Sequence, residues 1–191
     1  YGEATGQQLW DWLEQELQQL RGLEMSFELD LFYPDLAVQL PQEALSGPPE
    51  GDALSRLKAL RSQYQQGLLH WLRQDDVPAA SQLMRQALDG VMHCTPQDDG
   101  RAFWWVAGGL LDCLKFDGLP PEFSPRKLLG RIDQQMRIVS SVADGTAAGG
   151  GAADTRQVMN EMLYLVGHSH TVSSLVEEIK RVYALDRYLP E

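Results

Sequence analysis

Residues 101–114 read RAFWWVAGGLLDCL, and this stretch decides the fold. When it is drawn as a helix, apolar side chains fall on almost every side, so no stripe is left to face solvent. A helix of this kind is buried by its neighbours, and we predict that it is the central helix of an all-α bundle. Gly108 and Gly109 each cost about 1 kcal/mol relative to Ala in a helix. That cost indicates a bend or a close approach of another backbone.

Amphipathic segments on both sides of this stretch predict further helices. Their apolar residues recur every three or four positions, as on one face of a helix. Five such stripes start near Leu54, Ala80, Leu128, Val158 and Val172. Together with residues 6–22, they predict about six to seven helices and no strand, arranged as a helical bundle.

The chain divides into three parts by composition and by the periodicity of its apolar residues. Residues 1–28 hold an N-terminal helix with a leucine stripe, which we expect to stop at Gly22. Residues 29–52 hold four prolines and no helical period, which is typical of a connector. Residues 53–191 carry the predicted bundle. Because the sequence begins at Tyr1 without Met, we interpret the chain as a piece of a longer protein, and residues 1–28 as a possible end of a preceding module.

Composition and charge exclude several classes of function. The 191 residues are 43% hydrophobic and carry a formal net charge of -11. An acidic surface repels phosphate, which argues against nucleic acid and against an anionic membrane as partners. No apolar run reaches the ~18 residues of a membrane span. Two cysteines, Cys94 and Cys113, are no disulfide framework. We therefore expect a cytoplasmic protein.

A search for catalytic and metal-binding patterns finds little. His168 and His170 form a His-x-His pair, but in a helix the two rings would point about 200° apart, and no further ligand lies nearby in sequence. We interpret the pair as a polar cluster at a helix junction. Nucleophile motifs and phosphate-binding glycine loops are missing. We predict neither a metal nor a cofactor.

Histidine phosphotransfer is a histidine chemistry that all-helical bundles host. It uses an exposed His, a Lys three residues later and a Gly at the fourth position. Of the four histidines, His70 alone has a cation at the third position, which is Arg73. His70 is therefore the candidate phosphoacceptor, against the simpler interpretation of a partly exposed helix residue.

Five segments carry a family resemblance. They are residues 30–36 (DLFYPDL), 66–72 (QGLLHWL), 101–109 (RAFWWVAGG), 127–133 (KLLGRID) and 160–166 (NEMLYLV). In order and spacing they resemble the N-terminal modules of the chemotaxis-type (CheA-like) hybrid histidine kinases of the ChpA/PilL type, which control type IV pili and twitching motility. They are also similar to the related FimL scaffold proteins.

The resemblance implies a module derived from the histidine phosphotransfer (HPt) fold, with an HPt-like four-helix core and extra helices, that has lost its chemistry. When Trp104-Trp105-Val106-Ala107-Gly108 is laid on His-x-x-Lys-Gly, Trp104 replaces the phosphoacceptor and Ala107 replaces the Lys, while Gly108 is kept. A core helix with two aromatic residues would show the same pattern.

Three hypotheses of function follow. The first is a non-catalytic scaffold module of a signalling protein, whose parent is a histidine kinase, that docks proteins such as response regulators or polar pilus factors. Trp71, Trp104 and Trp105 are its candidate contacts, although burial would also explain them. The second is an active phosphotransfer domain that uses His70. The third is a helical sensor that binds a small ligand in a pocket. The oligomeric state stays open.

Overall fold

A computed structural model describes residues 2–41, 52–95, 100–146 and 152–189. Within these ranges the chain forms seven α-helices, one short 3-10 helix at Leu185–Arg187 and no strand, which confirms the predicted all-α bundle. The helices are α1 Gly2–Leu31, α2 Ala53–Leu72, α3 Val77–Cys94, α4 Gly100–Lys115, α5 Arg126–Ala143, α6 Ala152–His168 and α7 Ser174–Val182.

Helix α4 is buried on nearly all sides, as its sequence predicts, and it lies within a ring of helices rather than at its centre. Every residue from Phe103 to Leu114 is buried, and α3, α6 and α7 all contact this helix. The two glycines leave room for side chains rather than for a backbone. A Cβ built on Gly109 would lie 2.3 Å from Ile179 Cδ1, and one on Gly108 would lie 3.1 Å from Arg85 Nε. The cost in helix propensity is therefore offset by the close packing of α7 and of Arg85.

Five helices form a closed ring around the core, in the order α2, α3, α4, α6, α5 and back to α2. Helices α2 and α3 pack closely at Gly67, where a Cβ would lie 3.0 Å from the Ala80 carbonyl oxygen and 2.7 Å from Met84 Cγ. A short turn joins these two helices, and the Asp76 carboxylate caps α3 by accepting a hydrogen bond from the Ala79 backbone N–H.

Helices α2 and α5 close the ring through polar contacts. The Tyr64 hydroxyl is fully buried and donates a hydrogen bond of 2.8 Å to the Leu129 carbonyl oxygen. Burial raises the pKa of Tyr64 well above its ordinary value. One turn earlier, the Arg61 guanidinium donates two hydrogen bonds of 3.0 Å to the two oxygens of Asp133. Such a bidentate contact fixes the register of the two helices.

The N-terminal helix is longer than predicted. Helix α1 continues through Gly22 to Leu31, so the predicted stop at Gly22 is wrong. Gly22 is exposed, and a Cβ there would meet no atom within 4 Å. A glycine ends a helix when it takes a left-handed conformation. Gly22 does not take one, and its cost of about 1 kcal/mol is too small to stop a long helix.

The predicted connector begins inside this helix. Residues 29–31 belong to α1, and residues 32–41 then run without helix or strand. Phe32 is buried and packs edge-to-face on Tyr164 with ring centroids 5.5 Å apart, while the Tyr164 hydroxyl donates to Glu28 at 2.7 Å. These contacts fasten the end of α1 to α6. The remaining connector residues, 42–51, lie outside the described part of the chain. The division at residues 28 and 52 stays a prediction.

Candidate functional site

His70 lies in the last turn of α2, where its side chain is about half exposed. Arg73 follows directly after the helix and is also exposed. The nearest charged neighbour of the imidazole is acidic, since Nδ1 lies 4.0 Å from a carboxylate oxygen of Asp75. A carboxylate at this distance repels an incoming phosphoryl group. The accessibility of His70 suits phosphotransfer, whereas its charge environment does not.

The other three histidines serve the local structure. His93 Nδ1 lies 2.6 Å from the Asp89 carbonyl oxygen, and His168 Nδ1 lies 2.9 Å from that of Tyr164. His168 also stands beside the Phe123 ring at a centroid distance of 5.2 Å. The backbone N–H of His170 donates to the Gly118 carbonyl oxygen at 2.8 Å. Across the described residues, no group of three or more His, Cys, Asp or Glu side chains is arranged to hold a metal ion.

The proposed remnant of a phosphotransfer motif lies inside the core. Trp104 and Trp105 are 3% and 7% exposed, and Ala107 is fully buried. Gly108 faces Arg85 and the Leu175 side chain, so another protein cannot approach it from outside. The structure thus brings Trp104, Ala107 and Gly108 to one buried face. Their assignment to a lost motif stays a hypothesis about the origin of the fold.

A charged cluster sits beside Gly108 and joins three helices. Arg85 of α3 donates through Nε to Asp89 at 3.1 Å and through Nη1 to Asp112 of α4. The second oxygen of Asp112 accepts from the Ser173 hydroxyl at 3.1 Å, and Ser173 caps α7. Burial opposes ionisation of Arg85, but the two carboxylates raise the net pKa of its guanidinium.

Sequence analysis did not predict this cluster, although the sequence contains a signal for it. Asp112 is an acid within the most apolar helix, and a buried carboxylate needs a buried cation. What the sequence does not reveal is which cation supplies the charge. That choice depends on the packing of α3 against α4. The cluster is a structural clamp rather than an accessible site, because Asp112 is buried.

Trp71 lines a small cavity at the end of the bundle. The cavity has a volume of about 190 Å³ and is walled by Trp71, Val77, Leu114, Phe123 and the proline turn at Pro120 and Pro121. This volume is below the ~300 Å³ at which pockets for drug-sized ligands begin. The cavity therefore gives little support to the small-ligand hypothesis.

More exposed large apolar side chains lie on α1 than on any other described helix. Six of them repeat every three or four residues on one side of the helix, and each is between 37% and 70% exposed: Leu9, Trp10, Leu13, Leu17, Leu20 and Leu23. We call this set the α1 stripe. Large contiguous apolar patches mark interaction sites on soluble proteins. A partner that covers this face would gain hydrophobic free energy.

Helix α1 is strongly acidic. The helix carries seven acidic residues against one cation, Arg21. Among the described helices, none has the length and apolarity that a bilayer crossing requires. The α1 stripe is therefore an exposed apolar face on an acidic helix.

Comparison with known proteins assigns a family to the ring and α7. The search of curated proteins and the search of solved structures both return no match. The family model described as the FimL scaffold protein second domain matches residues 49–191, which is well over half of the chain and includes all helices from α2 to α7. Over these residues the chain belongs to the FimL scaffold protein family, as its second domain.

Proposed function

We propose that this chain is a non-catalytic scaffold module of type IV pilus signalling, and that it docks partner proteins through the α1 stripe. Membership in the FimL scaffold family supports a scaffold role. The observation that carries the docking surface is the exposure of six large apolar side chains on one face of α1. An HPt-like ancestry of the bundle, with a histidine kinase as the parent of related modules, is part of the same proposal.

The spacing of the stripe favours a helical partner. Trp10, Leu13, Leu17 and Leu20 follow the alternating three- and four-residue steps by which two helices pack along a seam. A helix docked in this way buries each of these side chains against an apolar stripe of its own. The partner surface is thus an amphipathic helix.

The charge of α1 selects among helical partners. Two copies of α1 would bring together two helices with an excess of acidic residues, and like charges across a helix pair are destabilising. A partner helix with Lys or Arg beside its apolar stripe avoids this repulsion and gains attraction. We therefore expect hetero-association with a basic amphipathic helix rather than self-association.

A binding experiment with a disrupted stripe tests the proposal. Receiver domains of response regulators and soluble segments of polar pilus proteins, purified from the same organism, would be titrated with the chain by calorimetry. For the partner that binds, Leu13→Gln with Leu17→Gln should weaken the affinity more than about tenfold, because two buried leucines are lost from the interface. Gln keeps good helix propensity, so α1 itself should persist.

The matched control lies on the opposite face of the same helix. Gln15→Ala with Gln18→Ala removes two polar side chains well away from the stripe, and its affinity should equal that of the wild type. Equal weakening by both pairs would show that the helix, and not its apolar face, is needed. An unchanged affinity of the leucine variant would refute docking through the α1 stripe.

Phosphotransfer through His70 is the competing hypothesis, and one assay separates the two. The chain would be mixed with phosphorylated receiver domains, and acid-labile phosphohistidine would be counted on wild type and on His70→Gln. The Asp75 carboxylate near the imidazole supports the expectation of no label. Label that appears on the wild type and is lost in His70→Gln would overturn the non-catalytic proposal.

A further inference from the structure

A polar cleft runs between α2 and α5, outside both the α1 stripe and the clamp at Asp112. Its volume is about 250 Å³. One wall comes from α2 and the other from α5, and the lining residues are Lys58, Arg61, Ser62, Gln65, Arg137, Ser140, Ser141 and Asp144. Each wall spans eight residues, or about 10 Å of chain, which is the length of about three residues of extended chain.

The cleft is cationic in an acidic protein. Three cations line it against one carboxylate, and Asp133 neutralises Arg61, so one positive charge is left in excess, whereas the whole chain carries a net charge of -11. The fold keeps these cations together in one cleft because the contact between Arg61 and Asp133 holds α2 against α5. A local positive field on an acidic surface attracts acidic ligands selectively.

Two of the three cations are available to a ligand. Arg61 already donates to Asp133, so its charge is largely committed. Lys58 and Arg137 are exposed, and within the described residues neither forms an ion pair. They stand on opposite walls, one on α2 and one on α5. A cation on each wall suits a ligand that carries negative charge.

The hydroxyl groups of the cleft make its lining polar, but few of their hydrogens are free to donate a hydrogen bond to a ligand. Ser140 donates to the Met136 carbonyl oxygen and Ser141 to that of Arg137, both at 2.9 Å. Gln65 donates a long bond of 3.4 Å to Asp133. Because the hydroxyl hydrogens of Ser140 and Ser141 are used within the helix, Lys58 and Arg137 supply most of the attraction. A groove about 10 Å long with a cation on each wall suits an extended acidic segment.

We propose that the cleft between α2 and α5 binds an acidic peptide segment of a partner protein, with Lys58 and Arg137 each facing a carboxylate. This contact is independent of docking through the α1 stripe, because the two surfaces share no residue. A scaffold with both surfaces could hold an acidic and a basic partner at the same time.

The test uses a fluorescein-labelled hexaglutamate peptide and anisotropy at 50 mM salt. Wild type should bind the peptide, and binding should weaken as salt is raised. Lys58→Gln with Arg137→Gln should lower the affinity about fivefold, as expected for two exposed ion pairs. The matched control is Arg126→Gln with Lys127→Gln, which removes the same charge at the other end of α5, where both side chains are exposed. It should change the affinity less than twofold.

Three results would overturn the proposal. The first is no binding of hexaglutamate by wild type. The second is an equal loss in both double variants, which would reveal a general charge effect. The third is displacement of the peptide by inorganic phosphate at a lower concentration than by unlabelled peptide, which would indicate a compact anion site. Leu13→Gln with Leu17→Gln should leave peptide binding unchanged, so this test is separate from that of the proposed function.

Discussion

Helix α1 and the ring helices carry similar apolar patterns, but the apolar side chains are buried in the ring and exposed on α1. In the ring, Leu88 and Leu129 are fully buried, whereas Leu17 and Leu20 of α1 are more than half exposed. Both regions obey the same helical periodicity. The difference shows that an apolar stripe predicts that a helix face will be buried. The stripe does not predict whether another helix of the same chain or a partner protein buries it. In the ring it comes from the neighbouring helices, and for α1 we propose a partner protein.

The sharpest test of this contrast deletes the same side chain in each region. Leu88→Ala should lower the free energy of unfolding by about 2–5 kcal/mol, because it opens a cavity in the core. Leu17→Ala should change it by less than about 0.5 kcal/mol, because the side chain is exposed. Urea denaturation followed by tryptophan fluorescence measures both. A large loss from Leu17→Ala would mean that the α1 stripe is covered by the bundle itself.

A charge deletion should distinguish the regions almost as strongly. Arg85→Met leaves Asp112 buried with only the Ser173 hydroxyl, and should cost about 2–3 kcal/mol. Arg21→Met in α1 removes an exposed cation and should cost less than about 0.5 kcal/mol. Adding Asp112→Leu to Arg85→Met should recover part of the stability, since no buried charge is then left unpaired and Asp89 is partly exposed to water. A double variant as unstable as the sum of both single changes would contradict the clamp.

Alkaline pH should weaken the ring. Burial is the largest cause that raises the pKa of Tyr64, Tyr164 and Tyr183. Since the folded-state pKa lies above the unfolded value of about 10, this contribution to stability is complete below pH 10 and is lost as pH rises towards the folded pKa. Tyr64→Phe should therefore reduce the fall in unfolding free energy between pH 10 and 11 by about 1 kcal/mol. Urea midpoints from pH 8 to 11 measure the slope, and equal slopes would refute this assignment.

The smallest effect concerns two glycines with open surroundings. A Cβ on Gly22 of α1 or on Gly130 of α5 meets no atom within 4 Å, so Ala should favour each helix by up to about 1 kcal/mol. Gly130→Ala should raise the global free energy of unfolding. Gly22→Ala should instead slow amide hydrogen exchange in α1 alone, because that helix opens without the ring. A rise in global stability from Gly22→Ala would show that α1 folds as one unit with the bundle.

Much of the fold could be predicted from local patterns. The burial of α4 followed from its lack of a polar face, and the other helices followed from their stripes. The end of α1 could not be predicted in this way, because Gly22 resembles a helix stop but has only a weak effect on a helix of this length. The contacts of Phe32 and Tyr164, which hold the true end, join residues far apart in sequence.

The candidate sites were less accessible to sequence analysis than the fold. His70 could be selected by spacing, but the approach of Asp75 to its ring could not. Asp112 indicated that a buried cation lies nearby, but the sequence did not indicate that this cation is Arg85. The cationic cleft left no signal at all, since Lys58 and Arg137 are ordinary polar-face residues until α2 and α5 lie side by side.

The sequence by itself determined which segments form helices, which of them is buried on nearly all sides and that α1 has an apolar face, because helix formation and amphipathicity depend on residues within a few turns. Only the tertiary structure decided that five helices close into a ring, that Arg85 meets Asp112, that two cations face each other across a cleft and that the α1 stripe stays exposed. These features depend on which helix becomes the neighbour of which, and that choice is made by packing and charge pairing between residues distant in the chain.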